Sequence, residues 1–180
     1  MENVMNKLMM TLFVSLCMVS AVSAGNYMVI DGIEGEVTLK GREGWIELQS
    51  FSWGIVSPRD AASGLPTGKR QHKPITIVKE IDKATPLLFM GCCQGTHIKE
   101  AKLMMYRTNN QGQEVLYCVI TLHDVMISSF SVIDDDDDGD AATERIPSRP
   151  AEQLSFTYSS ITVADPVSSK EYTDDWSTAR

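Results

Sequence analysis

The alternation of apolar and polar residues along the chain predicts short β-strands over most of its length. The pattern is clearest over residues 74–81, where Ile75, Ile77 and Lys79 fall on one face and the residues between them fall on the other. β-branched side chains are dense in this segment, and Pro74 is acceptable only at the first position of a strand. We therefore predict a strand over residues 74–81.

One helix is predicted directly after this strand. Thr85 occupies the expected N-cap position, and Pro86 occupies the first helical position, where its missing N–H breaks no intrahelical bond. Residues 87–90 are apolar, and either Gly91 or Gly95 offers an end. These start and stop signals predict a helix of about two to three turns.

The same alternation predicts further strands before and after the helix. The predicted segments are Tyr27–Ile30, a short Val37–Lys40, residues 45–56 as one strand or two joined by a bend, His97–Thr108, Val115–Ile120, Val125–Ile133 and Leu154–Val163. Asn109–Gly112 has the residues of a hairpin turn. Val115–Ile120 is apolar on both faces, which indicates a central strand, a closed barrel or a subunit interface on its outer face.

Many short strands, a single helix in mid-chain and no alternation of strands with helices predict a mainly β fold. We expect a compact two-sheet β-barrel or sandwich with one short flanking α-helix over residues 25–165. Residues 57–72 contain two prolines, two glycines and few apolar side chains, so we predict a long loop there. Residues 166–180 are assigned to a polar C-terminal tail that contains Trp176.

Residues 1–24 differ in composition from the rest of the chain. Lys7 precedes a mostly apolar run over residues 8–19, and small residues follow, which is typical of a secretory signal peptide. The apolar run is shorter than the roughly twenty residues that span a bilayer. We predict a signal peptide and a secreted, extracellular protein with the periplasm in transit; the alternative is a translation start near Met18 or Met28.

Three cysteines remain after the predicted signal peptide: Cys92, Cys93 and Cys118. An odd number does not indicate a disulfide framework, and a bridge between the adjacent Cys92 and Cys93 would be strained. We interpret all three as small buried hydrophobic side chains. The alternative is a bridge from Cys92 or Cys93 to Cys118.

Charge and composition exclude some classes of partner. The 180-residue chain is 43% hydrophobic, which is enough for a core, and its formal net charge is −8. An acidic surface repels both phosphate backbones and anionic lipids. We therefore predict that the chain binds neither nucleic acid nor membrane.

The most conspicuous charged feature is the acidic run Asp134–Asp140. Asp134, Asp136 and Asp138 match the spacing of an EF-hand loop, but Arg145 stands where that loop requires a bidentate glutamate. We interpret the run as a solvated acidic loop between two strands, with weak calcium binding as the lesser alternative. No metal site is predicted.

The sequence gives little support for catalysis. His72, His97 and His123 are separated by whole strands and show no ligand spacing. Cys93 and His97 form a conceivable nucleophile and base, but no third group is indicated that would orient the base. We predict that the chain is not an enzyme and has no catalytic residue and no cofactor. Several large side chains on predicted strands are interpreted as core or interface anchors: Trp45, Trp53, Met104, Met105 and Met126.

Four stretches together resemble a known family in their order and spacing. They are Ile30–Glu36, Ile46–Gly54, the segment from Gly68 through Leu88 with the strand that follows near Ile98, and Ile120–Val125. Across residues 27–163 they resemble the haemolysin-coregulated protein (Hcp) family, which builds the inner tube of the bacterial type VI secretion system. This coverage is more specific than one short motif would be.

The resemblance implies a compact β-barrel whose copies close into a homohexameric ring and stack into a hollow tube. It implies that the lumen carries effector proteins, and that the partners are other copies, the spike and sheath components of the secretion system and the effectors. It also implies that the loop over residues 57–72 reaches toward a neighbouring ring, and that the protein has no reaction of its own.

Two other functions remain as alternatives. Members of the resembled family leave the cell through the machine and lack a cleaved signal, so a true signal peptide favours a secreted Hcp-fold binding module outside any tube. The weaker alternative is a hydrolase that uses Cys93 or His97.

Overall fold

The computed structural model describes residues 25–133 and 150–175. The predicted signal peptide, the acidic run and Trp176 lie outside the described residues. Strands and one helix follow in this order: β1 (Asn26–Ile30), β2 (Ile46–Leu48), β3 (Ser50–Ser52), β4 (Ile55–Val56), β5 (Gln71–His72), β6 (Ile75–Glu80), α1 (Thr85–Gln94), β7 (Ile98–Thr108), β8 (Glu114–Ile133), β9 (Ala151–Thr157), β10 (Ser160–Asp165) and β11 (Lys170–Asp175).

Nine of the eleven described strands form two antiparallel sheets that share β8, and β4 and β5 pair only with each other. The first sheet has the order β2-β1-β7-β8-β10-β11, and the second has the order β8-β9-β6-β3. At the far side, Gln49 joins β2 of the first sheet to β3 of the second, and its N–H donates to the carbonyl of Val78 at 2.8 Å. The predicted mainly β, two-sheet architecture with one flanking helix is confirmed.

The hydrophobic core lies between the two sheets and continues under α1. The faces predicted for residues 74–81 are confirmed, because Ile75, Ile77 and Lys79 are fully buried. Leu88 and Gly91 are the buried positions of α1. Apolar side chains from both sheets complete the core, among them Met28, Ile46, Leu103, Leu122, Leu154 and Phe156.

Two of the predicted strand divisions are wrong. Val115–Ile120 and Val125–Ile133 are parts of the single twenty-residue strand β8, which changes partner near Asp124, a residue with a positive φ of 52°. Before this point β8 pairs with β7 and β10, and after it with β9. Conversely, Leu154–Val163 is two strands, because the chain turns after β9 and enters the other sheet as β10.

The helix begins one residue earlier than the sequence indicates. Ala84 is the N-cap, Thr85 is already helical, and the prediction of Thr85 as the cap is wrong. No side chain caps the first turn, but Asp82 Oδ1 accepts a hydrogen bond from the N–H of the N-cap residue Ala84 at 2.8 Å, which holds the turn before the helix. The helix ends at Gly95 in the left-handed conformation, with φ of 62°, and the cap N–H bonds to the carbonyl of Gly91.

The prediction of a strand over Val37–Lys40 is wrong, because these residues lie in a loop. Arg42 in this loop makes two hydrogen bonds to the carboxylate of Glu114, at 3.1 and 2.5 Å. Its guanidinium carbon lies 3.7 Å from the ring centre of Tyr106 and 4.9 Å from that of Tyr27. Arg42 therefore ties the loop to the start of β8, and the bonds to Glu114 raise its pKa.

A buried charged cluster joins β6, β9 and the start of the helix. Lys79 Nζ donates at 2.7 Å to Glu152 Oε1, to Asp82 Oδ1 and to the carbonyl of Glu80. The Lys79 and Glu152 residues are both fully buried. A buried ammonium group requires partners of this kind, because removal from water is costly for an unpaired charge.

Part of the segment assigned to the polar tail belongs to the first sheet. Residues 170–175 form β11, which pairs along its length with β10. The connecting turn is held by Asp165, whose side chain accepts hydrogen bonds from the backbone N–H groups of Val167 and Ser168. β11 is thus the outermost strand of this sheet within the described residues.

Replacement of Lys79 with methionine is expected to lower the free energy of unfolding by about 3 kcal/mol, because Glu152 then remains buried without its partner. Urea denaturation followed by circular dichroism measures this change. The double variant Lys79→Met/Glu152→Leu should recover most of the loss, and Lys83→Met, which removes a half-exposed lysine, should change little. An unchanged stability of Lys79→Met would contradict the prediction.

Candidate functional site

Residues 54–73 form an ordered hairpin, which we call the arm. β4 pairs with β5 at its base, and Arg59 forms a further bridge with Pro66. At the tip, Asp60 accepts hydrogen bonds from the N–H groups of Ala62 and Ser63. The loop predicted over residues 57–72 is confirmed for residues 57–70, and only Gln71–His72 at its end lie in a strand.

The arm projects apolar side chains into solvent. Leu65 near its tip is 65% exposed, and Ile55 and Val56 at its base are each 45% exposed. A hairpin with internal hydrogen bonds and exposed apolar side chains is suited to contact another molecule, because such side chains gain from burial there.

The root of the arm is anchored to the edge of the first sheet. Arg70 makes a two-point ion pair with Asp174 on β11, and His72 Nε2 lies 2.8 Å from the same carboxylate. On the other side, the hydroxyl of Tyr158 donates to the carbonyl of Lys73 at 3.1 Å and accepts from Trp53 Nε1 at 2.8 Å. These contacts fix where the arm leaves the barrel.

Asp174 is the charged centre of this anchor and is only 7% exposed. Hydrogen bonds from Arg70, with a smaller contribution from His72, hold the pKa of the Asp174 carboxyl below its usual value of 3.8, although burial acts in the opposite direction. The interaction likewise raises the pKa of Arg70. The carboxylate is therefore charged throughout the neutral range.

A basic groove of about 730 Å³ lies beside this anchor. Lys69, Arg70, His72 and Lys73 line it from the arm, and Thr157 and Tyr158 line it from the end of β9. None of its lining residues is acidic. In a chain of net charge −8, the groove is a local concentration of positive charge.

Other exposed apolar side chains lie on α1 and on the second half of β8. Phe89 of α1 is 53% exposed, and its ring meets that of Phe130 edge-on at 5.5 Å between ring centres. Leu87, Met90, Met126 and Val132 are also exposed. On the first sheet, β11 pairs with β10 alone among the described strands, and its Tyr172 is 72% exposed.

The candidate nucleophile and base do not form a catalytic arrangement. His97 Nε2 lies 3.2 Å from Asp124 Oδ1, and Ser159 Oγ donates to Asp124 Oδ2 at 2.8 Å. In a triad the histidine stands between the nucleophile and the carboxylate, whereas here Asp124 stands between the histidine and the serine. Within the described residues, no hydrogen bond joins Cys93 to His97.

The other histidines also have partners that the sequence did not indicate. His72 belongs to the arm anchor, and His123 Nδ1 lies 3.9 Å from Glu100 Oε2. The three described cysteines are free thiols: Cys93 is exposed, which corrects its prediction as buried, and Cys92 and Cys118 are half-buried.

The large side chains predicted as anchors occupy mixed positions. Trp53 bonds to Tyr158 and packs against the core, and Trp45 meets Tyr27 edge-on at 6.1 Å. Met105 is buried, Met104 is half-buried and Met126 is exposed.

In the part of the chain that the structure describes, no group of His, Cys, Asp and Glu side chains is arranged to hold a metal ion. No described helix has the length and apolar character needed to cross a bilayer.

The sequence of this chain matches a known protein family and is similar to a known protein. The family model described as "Type VI secretion system effector, Hcp" matches residues 27–164. The "Major exported protein" of Pseudomonas aeruginosa is 33% identical over 144 residues, which cover 79% of this chain and 81% of that protein.

Solved structures agree with the sequence comparison. A mutant of the Hcp1 protein from E. coli superposes with a TM-score of 0.71 at 28% identity, covering 87% of this chain and 99% of that one. The secreted protein Hcp3 from Pseudomonas aeruginosa superposes with a TM-score of 0.68 at 24% identity, covering 86% and 99%. The second likeness supports the fold alone.

Replacement of Asp174 with asparagine is expected to lower the free energy of unfolding at neutral pH, because the anchor loses its charge. A carboxyl whose pKa is lowered on folding contributes stability above its usual pKa and loses that contribution as the pH falls. The difference between wild type and Asp174→Asn should therefore be constant above about pH 5 and shrink below pH 3.8. Urea denaturation across this pH range tests it.

The matched control is Glu34→Gln, which removes one exposed negative charge that is distant in sequence from the anchor. A difference for Asp174→Asn that stays constant down to pH 2 would show that the carboxylate charge does not stabilise the arm.

Proposed function

Since this chain belongs to the Hcp family of the type VI secretion system, we propose that it is a tube subunit. In this proposal, copies close into a homohexameric ring, rings stack into a hollow tube, and the lumen carries effector proteins. The observation that carries the proposal is the family match over residues 27–164, which spans nearly all of the two-sheet barrel.

Ring closure needs two different surfaces on each copy, because a cyclic ring of more than two subunits uses heterologous contacts. Among the described strands β11 pairs with β10 alone, and its other edge offers one such surface, since a strand edge accepts a strand from another molecule. The exposed apolar side chains of α1 and β8 offer another, of which Phe89 is the largest. We propose that these surfaces are covered in the ring.

Stacking would use the arm. The arm is ordered by its own hydrogen bonds and by the anchor at Asp174, so a contact at its tip costs little conformational entropy. Leu65, exposed near the tip, is the apolar group best placed to be buried by a neighbouring ring. The long polar segment thus acts as an assembly element.

The proposed role includes no reaction of the chain's own. Its partners are other copies, the spike and sheath components of the secretion system and the exported effectors. The protein is proposed to reach the exterior, as the name of its exported relative indicates for that protein. The two alternative export routes are a cleaved signal peptide in residues 1–24 and passage through the secretion machine. The N-terminal sequence of the exported protein distinguishes them.

Native mass spectrometry of the purified protein, with negative-stain images of the same sample, is expected to show a six-subunit species and annular particles. The physical reason is that closure buries the β11 edge and the exposed apolar side chains of α1. A monomer at high concentration would overturn the tube proposal and favour the secreted Hcp-fold binding module.

Replacement of Leu65 with aspartate is expected to leave rings intact and to shorten or abolish stacks, because a charge at the arm tip opposes burial. Sedimentation velocity and electron microscopy measure ring and stack populations separately. Leu39→Asp is the matched control, since Leu39 is 54% exposed in a loop outside the arm. Equal stacking of both variants would show that the arm tip is not a stacking contact.

A further inference from the structure

The register of the second sheet places the basic groove at one end of the barrel and the residue that precedes the acidic run at the other. β9 begins at Ala151, which pairs with Ile133 at the end of β8, and it ends at Thr157, which pairs with Met126. The acidic run starts directly after Ile133, whereas the basic groove is lined by Thr157 and Tyr158. The seven residues of β9 separate the two ends by about 20 Å.

The pairing of β6 with β9 gives the same assignment of the two ends. Its first residue, Ile75, pairs with Phe156 near the groove, and its last residue, Glu80, pairs with Ala151 at the other end. Lys73 and Pro74, which line the groove, lead directly into β6. Both strands therefore assign the groove and the arm to one pole of the molecule, and the departure point of the acidic run to the opposite pole.

Two positive charges of the groove have no acidic partner in the described part of the chain. Arg70 is engaged by Asp174, but Lys69 and Lys73 are exposed and take part in no ion pair of the described part of the chain. The acidic run carries six aspartates in seven residues. Two ammonium groups facing such a run form complementary surfaces, which steer association and fix its register.

We propose that the acidic run Asp134–Asp140 of one copy docks in the basic groove of the next copy, so that successive subunits associate head to tail. This inference rests on the proposed function, since it gives the stacking contact its chemistry and names both of its sides. A heterologous contact forms an open stack when the rotation between successive copies does not close a ring, and a contact between opposite poles fits this arrangement.

The chain's own run is poorly placed to fill its own groove. Asp140 is seven residues beyond Ile133, and seven fully extended residues reach about 24 Å. Only the last carboxylate would arrive at the groove, and only at full extension. A second copy stacked at the groove pole brings the whole run to Lys69 and Lys73.

Two charge-reversed chains test the proposal. The first, Lys69→Glu/Lys73→Glu, carries an acidic groove and an acidic run, and the second, with Asp134 to Asp138 each replaced by lysine, carries a basic groove and a basic run. Sedimentation velocity at low salt should show that neither variant stacks alone, with at least about a tenfold loss of stacked material. Mixing the two should restore stacking, because each groove then meets a run of opposite charge.

The control variant Lys40→Glu/Lys99→Glu makes the same change of charge at two exposed lysines outside the groove, and it should stack as wild type does. Wild-type stacks should also weaken as salt is raised, since exposed charges are screened. The milder pair Lys69→Gln/Lys73→Gln should give an intermediate loss, and it replaces the glutamate variant if that chain does not fold.

The proposal is overturned if the reversed chains stack alone as wild type does, or if their mixture stays unstacked; the latter result includes the case in which the run occupies its own groove. Native mass spectrometry of each chain measures ring formation separately. Absence of rings in the wild type would count against the proposed function. Head-to-tail association of the mixed variants would still test whether the acidic run binds the groove.

Discussion

The barrel depends on one ammonium group held out of water between its strands. Lys79 lies on the inward face of β6, where its neighbours in the period-two pattern are Ile75 and Ile77. Its three partners belong to β9, to the end of β6 and to the turn before α1. Because Asp82 also accepts a hydrogen bond from the N–H of Ala84 in the turn before α1, the same charge network fixes the strand pairing and the entry into the helix.

Antiparallel pairing gives the molecule two chemically different ends. The second sheet brings the arm and its basic residues to one end and sends the acidic segment from the other. β8 adds rigidity to this arrangement, since it crosses from one sheet into the other and cannot shift in one without shifting in both. A subunit with fixed and unlike poles is suited to directional assembly, in which each copy determines the orientation of the next.

Local patterns in the sequence predicted much of the fold, and long-range contacts account for what they missed. The face of residues 74–81 follows from alternation alone, and Gly95 is one of two glycines that could end the helix. The continuity of β8 was not predictable, because the polar pair at His123 and Asp124 imitates a strand end. The order of the arm was not predictable either, since its anchor joins His72 to Asp174, 102 residues away. The basic and acidic segments were visible as composition, but only the strand register shows that the basic residues and the start of the acidic segment, after Ile133, belong to opposite poles.

The anchor at Asp174 also bears on how the protein is made. The arm leaves the ribosome long before residue 174, so during synthesis it lacks the carboxylate that holds Arg70 and His72 in place. Contacts of such sequence separation form late in folding, after the chain between them has been ordered. An unfinished chain therefore lacks the carboxylate that fixes the root of the arm, and this contact can form only after translation has passed residue 174.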